Sequence, residues 1–261
     1  MSDKIGILIV LILEILGTCN HTMTKKVINQ NTKLNQELIN TIEPKFIFAD
    51  KPINRFNILE TSNGTLQINK EELLKNLKDQ INSIENCKLK ENSNKIILGE
   101  GNINSPLMLI GESPGAEEEK LGVPFRGEVG ELLNKMLIAI NIKRQNIYTS
   151  YAINFRPPDD RKPTSTEIKR YSVFLKEHIS IINPKIIVLM GSSAMEAVTG
   201  ISEKITTERG HWKEVILKNK TFPLMITFNP SYLIRFPENK KHSWEDLKKI
   251  RDKIKDLKLK I

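Results

Sequence analysis

Cysteine is almost missing from this 261-residue chain, with Cys19 and Cys87 the only two. That excludes a disulfide framework and a closed four-thiolate metal site. Histidine is equally sparse, and His21, His178, His211 and His242 show no metal-ligand spacing. No apolar run reaches the roughly 18–20 residues that a membrane-spanning helix needs. The longest tract, Ile5 to Leu16, is interrupted by Glu14. Lys4 in front of it resembles the start of a secretory leader, yet no A-x-A-like cleavage site follows. Leu16-Gly17-Thr18-Cys19 carries Thr18 where a lipoprotein box has Gly or Ala. The preferred reading is an apolar helix over residues 1–19 that packs on a partner or on the rest of the chain. A membrane tether is the weaker alternative.

Positive charge, by contrast, is plentiful: 40 Lys+Arg against 31 Asp+Glu leave a net +9. Such a balance suits a polyanionic partner, with compositional drift toward lysine as the plain alternative. An apolar share of 39% with 27% charged residues supplies a sizeable core. It excludes a wholly disordered chain, a collagen and a multi-span membrane protein. Residues 20–68 are rich in Asn, Thr and Lys, include Pro44 and Pro52, and lack sustained periodicity. They read as a polar, poorly ordered linker.

From Asn69 onward the pattern tightens into a domain over 69–261. Asn69 with Glu72 signals a helix start, and Leu73, Leu74, Leu77, Ile81 and Ile84 follow at helical spacing. Strands are expected at 107–110, 147–153, 186–190 and 224–228, and helices at 129–142, 166–182, 192–198 and 243–259. This alternation predicts a three-layer α/β/α sandwich whose ligands sit at the strands' carboxyl ends.

Three segments that could carry chemistry each follow a strand. The first is Gly111-Glu112-Ser113-Pro114-Gly115, with Gly122-Val123-Pro124-Phe125-Arg126-Gly127 behind it. Two glycines and a proline after a buried strand let backbone amides approach a ligand, with the Glu112 carboxylate at the sheet's mouth. Phe125, an aromatic held in a loop, reads either as packing or as a platform for a planar ring. The second is Asn154-Phe155-Arg156-Pro157-Pro158 with Arg161-Lys162-Pro163, a proline-stiffened loop whose arginines suit phosphates. The third, Asn229-Pro230-Ser231-Tyr232-Leu233-Ile234-Arg235, reads as a loop. Its mixture of amide, hydroxyl, apolar tip and cation suits wedging bases apart.

These segments, together with Glu208-Arg209-Gly210-His211-Trp212 and Ser243-Trp244-Glu245-Asp246-Leu247, resemble the uracil-DNA glycosylase superfamily, and most of all the family 4 type and its cluster-lacking relatives. The likeness spans roughly Gly99 to Leu257. It implies a four-stranded parallel sheet between helices and a pocket for a flipped base. By resemblance, Glu112 and Asn229 are catalytic, and Gly111, Ser113, Pro114, Gly115, Phe125 and Tyr151 surround the base. Arg156, Ser231, Tyr232, Leu233 and Arg235 meet DNA, with Leu233 or Ile234 entering the duplex and Ser231 and the basic C-terminal helix holding phosphate.

Three departures from the family stand out. Cluster-bearing members hold a [4Fe–4S] centre on four cysteines; here only Cys87 matches, beside Ile84, Phe155 and Tyr171, so no cluster and no other cofactor is expected. Asn229 stands where active members usually carry His. An amide can still donate to a base carbonyl but cannot carry positive charge. Tyr151 stands where the family usually has an Asn that reads the base's edge, so it changes or fills the pocket. The resemblance therefore implies a monomeric, cytoplasmic, nucleoid-associated DNA repair glycosylase without stable membrane association. It would be monofunctional, with uracil the leading candidate among deaminated bases. The alternative is a catalytically impaired DNA-binding relative.

Overall fold

The computed structural model describes residues 69–93 and 95–261. The apolar helix and polar linker expected over 1–68 lie outside the described residues. Runs of β-branched and aliphatic residues form the sheet's centre: β2 (Leu107–Gly111), β3 (Tyr148–Tyr151), β4 (Ile186–Met190) and β6 (Lys220–Thr227). The first three are buried at every position, as strands covered on both faces must be. β2 pairs in parallel with β3 and with β4, and β4 with β6. Two further strands, β1 (Gly99–Gly101) and β5 (Trp212–Leu217), add antiparallel edges on β3 and β6. The order is β1-β3-β2-β4-β6-β5. The four expected parallel strands are therefore the middle of a larger, six-stranded mixed sheet. β5 arrives through a two-residue hairpin at Lys218 and Asn219, both with positive φ, which matches the twist of the strands it joins.

Helices follow from caps and periodicity. The Asn69 side chain accepts from the Glu71 and Glu72 amides and opens α1 (Lys70–Asn82). α2 (Lys88–Glu91) and α3 (Ala116–Leu121) are short; α4 covers Gly127–Ile138. Thr164 and Glu167 form a capping box at the head of α5 (Ser165–Ile182). Beyond it lie α6 (Ser192–Thr199), α7 (Ile205–Glu208), α8 (Pro230–Arg235) and α9 (Lys240–Asp256). α4 ends earlier than its apolar pattern suggests, because the chain turns at Asn141 (φ 61°) while Ile140 and Ile142 stay buried.

Strand alternation divides the core in two. Met108, Ile110, Ile187, Leu189, Leu224 and Ile226 face α1, α5 and α6. Leu107, Leu109, Ile186, Val188, Met190 and Met225 face α4, α8 and α9. Each of these side chains gains about 1.5–3 kcal/mol by leaving water. The two packed layers hold the strand ends rigidly, and the site is built on those ends.

Candidate active site

β2 feeds β3 on one side of the sheet and β4 feeds β6 on the other, so the crossovers diverge between the carboxyl ends of β2 and β4. Open α/β sheets bind ligands at such a point. A cleft of about 700 Å³ opens there. The turn after β2 contributes Glu112, Ser113, Pro114 and Gly115, and the turn after β4 contributes Gly191 and Ser192. Tyr151 comes from the end of β3, while Asn229, Ser231, Tyr232, Ile234 and Arg235 come from the end of β6 and α8.

The Glu112 carboxylate lies over the β4–α6 turn. Its Oε1 accepts from Ser192 Oγ at 3.2 Å and from the Ser193 amide at 3.0 Å. Asn229 caps α8. Its Oδ1 accepts from the Ser231 amide (3.0 Å) and from Ser231 Oγ (3.1 Å), and its Nδ2 donates to the Met190 carbonyl (3.4 Å). Glu112 and Asn229 thus flank the same few residues at the end of β4. The segment 229–235, expected to be a loop, is a helix entered through Asn229 and Pro230.

Tyr151 and Phe125 stack at 4.8 Å between ring centroids. The Tyr151 hydroxyl donates to Glu118 Oε1 (3.1 Å) and accepts from the Phe125 amide (3.0 Å). Burial, and the Glu118 charge beside it, push the Tyr151 phenol well above its ordinary value, so it remains a donor. Glu118 also accepts from the Gly115 and Arg126 amides. Phe125 does not line the cleft. One neighbour of its ring is Tyr151, another is the Arg144 guanidinium 5.3 Å from the ring centroid, and it is 3% exposed. Of this stacked pair only Tyr151 lines the cleft, itself 2% exposed, and Phe228 and Tyr232 are the other aromatic residues along it. Gly111 is also beneath the surface, where a Cβ would lie 2.7–2.8 Å from these two rings.

Three expected DNA contacts are reassigned. Leu233 is a core residue, 1% exposed, and Ile234 is the aliphatic side chain of α8 that lines the cleft. Arg156 is consumed internally: it forks onto both Asp160 oxygens at 2.7 and 2.9 Å and reaches Glu119 at 3.2 Å. Ser231 commits its single hydroxyl proton to Asn229, so toward the cleft it is an acceptor and a poor partner for phosphate. Tyr232 is stacked between Phe228 (4.9 Å) and Phe236 (4.8 Å). Arg161 is also held, by Glu167 at 2.7 and 2.9 Å, which keeps that carboxyl down at about 2. Lys162, from the loop before α5, and Arg235, on α8, are exposed cations lining the cleft that make no ion pair among the described residues. Ser192 and Glu118 lie in no chemistry-bearing motif of the sequence, whereas Lys162 lies in the proline-stiffened loop whose arginines were expected to hold phosphate. The serine pair after Gly191 at the end of a buried strand was the available signal.

Compared with known proteins, residues 98–248 match the profile of the Uracil DNA glycosylase superfamily. The chain belongs to that superfamily. It is similar to the Type-4 uracil-DNA glycosylase of Thermotoga maritima, 35% identical over 189 residues covering 71% of this chain and 97% of that protein. The corresponding Sulfurisphaera tokodaii protein is 34% identical over 187 residues, covering 69% of this chain and 84% of that protein. A DNA polymerase of Bacillus phage SP01 is 27% identical over 160 residues, 61% of this chain but 17% of the polymerase.

The superfamily's iron–sulfur cluster can be tested against the residues present. Cys87 Sγ lies 3.2 Å from Tyr171 Oη, the Phe155 ring meets the Tyr171 ring edge-on at 6.3 Å, and Ile84 packs on the same core. Cys87 and Phe155 both meet Tyr171, and together with Ile84 the four positions offer one thiol, one phenol, one phenyl ring and one aliphatic chain. That donor set does not fit a [4Fe–4S] cluster. Among the described residues, no group of three or more His, Cys, Asp or Glu could hold a metal ion.

Proposed function

We propose that residues 69–261 form a DNA repair glycosylase domain that hydrolyses the N-glycosidic bond of a deaminated base, uracil first among them, swung out of the helix into the cleft. The observation that carries this reading is the convergence of Glu112 and Asn229 on the end of β4. Cleavage leaves positive charge on the sugar and negative charge on the departing base. Glu112 receives the proton of the attacking water as its oxygen bonds C1′; the electron pair of the broken bond leaves with the base. The Asn229 amide, whose second N–H has no partner among the described residues, holds the base carbonyl where that charge gathers. Tyr151 supplies the ring face. Lys162 and Arg235 hold phosphates on either side, and Ile234 fills the gap the base leaves. Every residue given a role here comes from one chain, which suits a monomer. Among the described residues no helix is long and apolar enough to cross a membrane, and the reading puts the protein on nucleoid DNA.

The test is release of free base from single- and double-stranded oligonucleotides carrying uracil, hypoxanthine or xanthine. Asn229→Asp keeps the cap acceptor but replaces the donor with a charge, and should slow release by about 10²-fold or more with folding intact. The Tyr151 ring against Phe125 favours a second reading, a DNA-binding relative with an impaired pocket. Salt-dependent binding with no release from any of the three bases would establish it in place of the first.

A further inference from the structure

The turn between β4 and α6 is the part of the cleft that touches Glu112. Gly191 holds φ at +104°, a backbone that L side chains rarely adopt, and a Cβ there would lie 2.3 Å from Glu112 Cδ. The carboxylate therefore occupies the space that a side chain at 191 would take. Both of its donors, the Ser192 hydroxyl and the Ser193 amide, go to Oε1. Oε2 receives no hydrogen bond from the described residues. A carboxylate pinned through one oxygen keeps the other available as an acceptor at a fixed place, which a base receiving a water proton requires.

We propose that Ser192 is a positioning residue for Glu112, resting on the glycosylase reading above. It holds Oε1 from the side, the Ser193 amide holds it from the helix end, and Oε2 is left to orient and deprotonate the attacking water. The amide is backbone and cannot be removed by substitution, so the hydroxyl is the half that can be tested. A Ser192 that merely started α6 would affect folding alone, whatever stood at 112.

The experiment measures kcat and KM of the full chain on a single-stranded uracil oligonucleotide for wild type, Ser192→Ala, Ser192→Thr, Glu112→Gln and the Glu112→Gln/Ser192→Ala pair, with thermal melts of each. Losing one hydrogen bond to a charged group should lower kcat about tenfold in Ser192→Ala, with KM changed less than about twofold. Ser192→Thr keeps the hydroxyl, has the cleft for its methyl, and should return to within about threefold of wild type. With Glu112→Gln in place, Ser192→Ala should cost less than about twofold more. An equal loss in both backgrounds, a loss confined to KM, or a threonine variant that melts like wild type yet is as slow as alanine would overturn the proposal. Full activity of Ser192→Ala beside an active wild type removes this inference alone. An inactive wild type removes the glycosylase reading and this inference with it.

Discussion

His178 is enclosed on α5, its Nε2 2.9 Å from Tyr148 Oη and its Nδ1 3.4 Å from Ser150 Oγ. Burial pushes its pKa down to about 3 from an ordinary 6.5. Below 6.5 the unfolded chain takes a proton that the folded chain refuses, so stability falls with pH across that window. The slope is about 1.4 kcal/mol per pH unit, and by pH 5.5 about 1.4 kcal/mol is lost. Glu167 and Asp160, whose carboxyls are held low by Arg161 and Arg156, begin to lose their contribution only as pH falls below their ordinary values of 4.5 and 3.8. Urea melts at pH 7.5, 6.5 and 5.5 follow this loss, and His178→Gln should flatten the decline. Some residues disclosed their task in the chain and others did not. Glu112 and Asn229 follow buried strands in glycine- or proline-marked turns, and backbone sterics alone put them at the sheet's mouth. Phe125 and Leu233 are apolar residues in short segments, and such a residue reads alike whether it faces a ligand or the core. Arg156 was legible as a cation; its partner Glu119, 37 positions away, was not.

At the scale of elements, the two motifs around Arg209 and Asp246 prove to be one joint. Asp246, fully buried on α9, accepts from Arg209 Nε (3.0 Å) and Thr227 Oγ1 (2.7 Å), and Lys249 Nζ donates to the Gly210 carbonyl (2.7 Å). α9 is thereby fastened to the end of β6, next to the entry to α8. Asp246→Asn would leave the largely buried Arg209 guanidinium without its counter-ion. It should cost about 3 kcal/mol in urea unfolding, and a loss under about 1 kcal/mol would show the joint to be dispensable. β2 and β4 were legible to within a residue, because four or five apolar residues in a row closed by glycine have few other uses. The edge strands were not. β1 has three residues, and β5 alternates through Lys213, Glu214, Val215 and Ile216 with its turn marked by Lys-Asn, not by glycine. α8 was missed because six residues are too few to display a helical period.

For the whole molecule the net +9 foretold a polyanion but not which cations are free to meet it. Arg156 and Arg161 spend their charge on carboxylates of their own chain, whereas Lys162 and Arg235 stand exposed along the cleft. On single-stranded DNA each phosphate contact contributes about 0.7 to the slope of log affinity against log salt. The double variant Lys162→Ala/Arg235→Ala should therefore flatten that slope by about 1.4, and Arg156→Ala should leave it alone. Equal slopes for the first variant and wild type would move the strand elsewhere on the surface. The corner where Cys87, Phe155 and Tyr171 meet has a wider consequence. It is held by the Cys87–Tyr171 hydrogen bond and the edge-on Phe155–Tyr171 contact, so withholding iron from the growth medium should leave both the yield of folded protein and its urea midpoint unchanged.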